Sequence, residues 1–253
     1  MPYLNVNNAK IYYETWGETG GWITLINGFS RSLNDFKMAA KYFVQHGFRI
    51  LSLDNRGSGR TESGPFSMQN SVDDVEVLWR ELGIKSSGVL GISYGGALAI
   101  GLAIRRPAGL ERLMVVSSSP TSIFIEAISE VRPENFTDYF SAKFQSNFPL
   151  MAQSLAKEMS KNFIDPIRLT MAKQQRAAMR GYDYSGRLAQ INVPTLILHG
   201  VEDKIISVEA AQDLARNIAG ATLKTIPQVG HLFLAEAPTL LYETAAHFFS
   251  KTV

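Results

Sequence analysis

Apolar and polar positions fall into short β-rich runs separated by stretches of helical spacing along most of the chain. Runs at Ile11 to Trp16, Trp22 to Ile26 and Arg49 to Leu53 predict strands, with a helix over roughly Leu33 to His46 between the last two. Val72, Val75, Leu78 and Leu82 recur at helical spacing and predict a helix from about Met68 to Leu82, closed by Gly83. The apolar run Gly88 to Ile92 reads as a buried strand, and an alanine-rich helix, Gly95 to Arg106, follows it directly and stops at Pro107. Leu113 to Val116 supplies another strand. Strand character returns only at Pro194 to Leu198, followed by a helix over Val208 to Ile218, a strand at Ala221 to Ile226 and a last helix from about Pro238.

Strands alternating with helices predict an α/β fold, a doubly wound and mostly parallel sheet with crossover helices. The interruption at 120–187 is helical, rich in aromatic and methionine side chains, and reads as an insertion into a core made of 1–119 and 188–253. Within it Phe136, Phe140, Phe144 and Phe148 recur every fourth residue and predict one broad apolar helical face, extended by Met151, Leu155 and Met159. That face packs on the core or lines a substrate pocket, and the four phenylalanines are the candidate substrate-binding residues.

Composition narrows the chemistry. A 253-residue chain that is 45% hydrophobic has ample material for a core. Its formal charge of +2 includes no long run of either sign, so nothing marks a nucleic-acid footprint. The absence of cysteine excludes a disulfide framework, a thiolate metal site and a cysteine nucleophile together. No stretch approaches the 18 or so apolar residues of a membrane span and the N-terminus does not read as a signal peptide, which predicts a soluble, cytoplasmic protein.

Gly91-Ile92-Ser93-Tyr94-Gly95-Gly96 stands between the buried strand and the alanine-rich helix. In that context Gly-x-Ser-x-Gly is a strained strand-to-helix turn that presents the serine at an exposed elbow, beside helix N–H groups that favour negative charge. Ser93 is therefore the candidate nucleophile, against the plainer reading of a helix-capping serine. A serine hydroxyl needs a base, usually an imidazole oriented by a carboxylate. Of the four histidines, His46 and His247 lie in helices and His199 directly follows a strand, positions that suit structural roles. His231, in the loop Val229-Gly230-His231-Leu232 between the last strand and the last helix, is the candidate base. With such an elbow the partners follow in the order serine, acid, histidine, which selects Asp203 in Gly200-Val201-Glu202-Asp203-Lys204, with Glu202 as its neighbouring competitor. Two oxyanion donors are also required: the amide of Tyr94, and that of Phe29 in the loop Asn27-Gly28-Phe29-Ser30.

With these parts assembled the chain resembles the α/β-hydrolase superfamily over nearly its whole length. Asp54-Asn55-Arg56-Gly57-Ser58-Gly59 looks like the Asp-x-Arg-Gly-x-Gly turn of the esterase and enol-lactonase branches, and Pro194, Leu196 to Gly200, Asp203 and Gly230-His231 complete the match. The family usually has His-Gly where this chain has Asn27-Gly28. The resemblance implies a cap formed by the insertion and a carboxylic ester hydrolase acting through an acyl-enzyme on Ser93. Relatives with the same triad open lactones or cleave the carbon–carbon bonds of vinylogous diketones, and hormone receptors of this fold keep a triad while acting as ligand receptors. The resemblance also admits esters on an acyl carrier protein, to which Lys157, Lys161, Arg168, Lys173, Arg176 and Arg180 of the insertion would be suited, although a solvated helix face is the better account of them. A lone loop histidine argues against zinc, and the expected mechanism calls for no metal or organic cofactor.

Overall fold

A computed structural model of the chain describes residues 2–62, 64–122 and 133–250. Eight strands form one open sheet in the order β1-β2-β4-β3-β5-β6-β7-β8: β1 Tyr3–Val6, β2 Ala9–Trp16, β3 Gly21–Ile26, β4 Phe48–Leu53, β5 Ser87–Ile92, β6 Leu110–Val116, β7 Thr195–Gly200 and β8 Thr222–Ile226. The pairings β4-β3-β5-β6-β7-β8 are parallel, whereas β1-β2 and β2-β4 are antiparallel. β1 has no counterpart in the periodicity reading. It forms because Asn7 and Asn8 both adopt positive φ, 44° and 62°, the two-residue hairpin turn for which asparagine is suited, and Val6 pairs with Ala9 across it.

The central strands are apolar on both faces because helices cover both. On β3, Ile23 and Leu25 join one core with Phe36, Phe43, Leu241 and Ala245, under helices α1 (Lys37–Gln45) and α9 (Pro238–Ser250). Ile26 points the other way and joins Val72, Leu78, Leu98 and Leu214, under α2 (Met68–Glu81), α3 (Tyr94–Arg105) and α7 (Val208–Asn217). The same alternation recurs in β6, where Met114 and Val116 face the first core and Leu113 and Val115 the second. The helix expected over Leu33 to His46 begins as a 3-10 turn, Leu33–Phe36, and becomes α1 only at Lys37.

Between β6 and β7 no strand of the sheet occurs among the described residues, and the two ends of this insertion meet at a bridge between Thr121 and Asp183. The single phenylalanine face is not formed. Phe136 lies in a 3-10 segment, Pro133–Tyr139; Phe144 lies in the short α4, Ala142–Asn147; and Phe148 stands at the junction with α5, Pro149–Ile164. Ser141 caps α4 through the Phe144 amide, and Pro149 opens α5 at the position where a missing N–H costs nothing. Local capping thus outweighs the four-residue periodicity. Helix α6, Pro166–Met179, completes the insertion's long helices, and a short α8, Phe233–Glu236, precedes α9.

Candidate active site

The chain runs from β3 to β4 on one side and then crosses to β5 on the other. Such a reversal opens a crevice at the carboxyl ends of the two diverging strands. The loop Asn27 to Ser30 leaves β3 there, and Ser93 follows β5. Ser93 adopts φ 54° and ψ −119°, a strained conformation for a residue with a side chain. It holds because the neighbours admit no alternative packing: a Cβ on Gly91 would lie 2.2 Å from Gly95 O, and one on Gly95 would lie 2.1 Å from Ile26 O. The Ser93 amide donates to Val116 O at 2.9 Å, and Ser118 Oγ donates to Ser93 O at 2.7 Å. Contrary to the exposed elbow expected from sequence, Ser93 is only 7% accessible, because the insertion and the His231 loop stand over it.

Ser93 Oγ is 3.0 Å from His231 Nε2, and His231 Nδ1 is 2.8 Å from Asp203 Oδ2. The carboxylate accepts, so Nδ1 carries the ring hydrogen and Nε2 is left as an acceptor for the serine hydroxyl. Asp203 Oδ1 accepts the amides of Ile205 and Ile206, each at 2.9 Å. Glu202 turns away: its Oε2 accepts the amide of Ala142 at 2.9 Å.

Tyr94 is the first residue of α3, whose opening N–H groups have no intrahelical acceptor, and its buried phenol donates to Ser71 Oγ at 3.2 Å. Phe29 lines the cavity beside Ser93, and the loop that carries it lies close enough that a Cβ on Gly28 would be 3.6 Å from Ser93 Cβ. Asn27 fixes this loop. Its Oδ1 accepts the Gly28 amide at 2.7 Å, its Nδ2 donates to Ser32 O and Asp35 Oδ2, and its carbonyl accepts Asn55 Nδ2 at 2.8 Å. From the insertion, Gln175 Oε1 accepts the Ser30 amide at 2.8 Å. Asp54 accepts the amides of Leu33 and Arg60, both at 2.7 Å, and the turn from Asp54 to Gly59 lines a neighbouring polar pocket with Ser30 and Arg31 rather than the cavity beside Ser93.

The cavity encloses about 270 Å³ beside Ser93 and His231, and its apolar wall includes Phe136, Tyr139, Leu155, Met159, Leu232 and Leu234. Of the four phenylalanines predicted to bind substrate, Phe136 lines it. Phe140 and Phe144 do not line it but share a satellite core with Phe136, Ala152 and Ala156, and Phe148 is 53% exposed. Tyr139, which the sequence did not mark, connects the insertion to the histidine. Its carbonyl accepts the amides of His231 and Leu232 at 2.9 and 3.1 Å, and its ring meets the imidazole edge to face at 5.5 Å. Glu236 adds a second tie, accepting from the amides of both Gly230 and Ser141. The contacts of Tyr139 with His231 and of Ser141 with Glu236 join residues more than 90 positions apart, so no local pattern announces them. Among the described residues no group of three or more histidine, aspartate or glutamate side chains is arranged to hold a metal ion, and no helix is long and apolar enough to cross a membrane.

An open, mostly parallel sheet with a glycine-flanked serine at its switch point, and histidine and aspartate returning over the strand ends, defines the α/β-hydrolase fold. The chain belongs to the hydrolase family described as serine aminopeptidase, S33, whose model matches residues 17–238. A non-heme chloroperoxidase of Streptomyces lividans is 25% identical, with 93% of this chain and 94% of that relative covered. Among solved structures, an α/β hydrolase from a Medee basin deep-sea metagenome library superposes at a TM-score of 0.90 with 20% identity, over 99% of this chain and 98% of that one. An N-acyl homoserine lactone degrading enzyme superposes at 0.85 with 26% identity, over 98% and 100%.

Proposed function

We propose that this hydrolase cleaves a carboxylic ester by acyl transfer to Ser93. The observation that carries the reading is the continuous chain from Ser93 Oγ through His231 to Asp203, with links of 3.0 and 2.8 Å, at the mouth of an apolar cavity. In this mechanism His231 Nε2 takes the Ser93 proton as Oγ attacks the carbonyl carbon, and Asp203 stabilises the imidazolium so formed. The Tyr94 and Phe29 amides receive the oxyanion. His231 then returns the proton to the departing alkoxide, and water, activated by the same imidazole, releases the acid. The insertion acts as a cap that supplies Phe136, Leu155 and Met159 to the acyl-binding wall.

A lactone is a cyclic ester and passes through the same steps. The likeness to an N-acyl homoserine lactone degrading enzyme makes lactones the second substrate class. Labelling with a fluorophosphonate, followed by peptide mapping, should find the adduct on Ser93. Ser93→Ala should retain the fold and lose turnover of p-nitrophenyl butyrate and of an acyl lactone. An adduct on another serine, or unchanged turnover in Ser93→Ala, defeats the proposal.

A further inference from the structure

The end of β7 carries a side chain that the triad leaves idle. His199 is fully buried, and its Nε2 lies 2.9 Å from Ile206 O and 3.4 Å from Asp203 Oδ2. A carbonyl oxygen accepts and cannot donate, so Nε2 carries the hydrogen, which points at Ile206 O with Asp203 Oδ2 at its flank. Nδ1 is then the bare nitrogen. It is buried with no hydrogen-bond partner among the described residues, so a proton added there would create a buried N–H without an acceptor. The titratable groups that act on the ring are Asp203 and His231, from the loops after β7 and β8, and Glu209 on α7. Burial, with His231 acting in the same direction, outweighs the pull of Asp203, the Ile206 hydrogen bond and Glu209 and holds the ring's proton affinity below histidine's ordinary value.

We propose that His199 is a positioning residue for the acid arm: its uncharged Nε2–H pins the turn from Asp203 to Ile206 through the Ile206 carbonyl, beside the carboxylate oxygen that orients His231. Asp203 Oδ1 is already occupied by two amides of that turn, so fixing Ile206 fixes the direction in which Oδ2 faces His231. The lack of charge matters as much as the hydrogen bond. A cation beside Oδ2 would compete with the imidazolium for the carboxylate, and an apolar side chain would leave the Ile206 carbonyl unsatisfied in a dry interior.

The inference rests on the acyl-transfer reading, and its test separates the two. His199→Gln places an amide nitrogen near the Nε2 position, whereas His199→Leu removes the donor at similar bulk. With p-nitrophenyl butyrate, His199→Leu should lose about ten- to a hundredfold in kcat with KM within about twofold, and His199→Gln should recover most of the loss. Ser93 labelling by a fluorophosphonate should slow in parallel. In the intact wild-type chain at about pH 7.5, ¹⁵N NMR of the imidazole should show a protonated Nε2 and a bare Nδ1. A His199→Leu variant with wild-type kcat, or a ring protonated on Nδ1, overturns the proposal, and the NMR reading stands even if that variant does not fold. Normal Ser93 labelling with an unaffected His199→Leu removes only the role of His199. A wild type that neither turns over nor labels at Ser93 removes the acyl-transfer reading and this role with it.

Discussion

Acyl-chain length is the most direct probe of the cavity beside Ser93. At about 270 Å³ it lies near the lower end of small-molecule sites, roughly 300–1,000 Å³, so it should reward the first few methylenes and then fill. Each methylene moved from water onto a wall such as Phe136, Leu155 and Met159 contributes about 0.8 kcal/mol, a factor of roughly four in kcat/KM. Two methylenes separate acetyl from butyryl, which gives about 1.6 kcal/mol or roughly fifteenfold. The assay is kcat/KM for p-nitrophenyl acetate, butyrate, hexanoate and octanoate, each below its micelle limit and with one leaving group throughout. The expected profile rises steeply to butyryl and levels near hexanoyl. Leu155→Trp, which fills the chamber, should move the optimum back toward acetyl. A monotonic fall from acetyl onward, or an unchanged profile in Leu155→Trp, would show that the chamber does not hold the acyl chain.

Three other perturbations probe what supports the site. Asp74 holds Arg56 in a buried two-pronged pair, with both contacts at 2.7 Å; Asp74→Ala strands that cation and should cost about 3–5 kcal/mol, seen as a Tm lower by roughly 6–20 °C, and a drop of only a degree or two would contradict the buried pairing. A Cβ on Gly230 would meet Ser141 N at 2.7 Å and Glu236 Oε1 at 2.8 Å, so Gly230→Ala should displace the His231 loop and lower kcat by about tenfold or more while circular dichroism stays native; undiminished kcat would show that the tie to the insertion is dispensable. Because burial lowers the proton affinity of folded His199 from the ordinary value of 6.5, acidification below that pH protonates the unfolded chain first and stability falls. Denaturant midpoints of wild type should therefore drop more steeply than those of His199→Gln as the pH is lowered from 7 to 5, and a steeper drop in the variant would reverse the sign of the argument.

Local chemistry is written most plainly at the elbow after β5. Gly91 and Gly95 flank a serine whose turn leaves no room for a Cβ at either position, and that requirement is written within five consecutive residues. Asp203 could be preferred to Glu202 only by chain order and turn position; the structure separates them by direction, Asp203 facing His231 and Glu202 the start of α4. The phenylalanine repeat misled because periodicity assumes one uninterrupted helix. Ser141 and Pro149 break it, so Phe136 alone of the four reaches the cavity lining while Phe140 and Phe144 fill the small core behind it.

By itself the sequence determined the alternation of strands and helices, the β5 elbow at Ser93 and the loops that carry Asp203 and His231. Each of these depends on hydrophobic period, turn chemistry or spacing, which neighbouring residues specify. Only the tertiary structure decided that Gln175 would steady the loop of Phe29, that Tyr139 and Glu236 would hold the loop of His231, and that His199 would stand beside Asp203. Apart from His199, four residues from Asp203 in sequence, and the Glu236 contact to Gly230, six residues away, these are contacts between distant segments, made by ordinary polar side chains or a bare carbonyl. Their partners are chosen by how the strand order brings loop ends together over the crevice, a property of the packed sheet that no stretch of the chain carries alone.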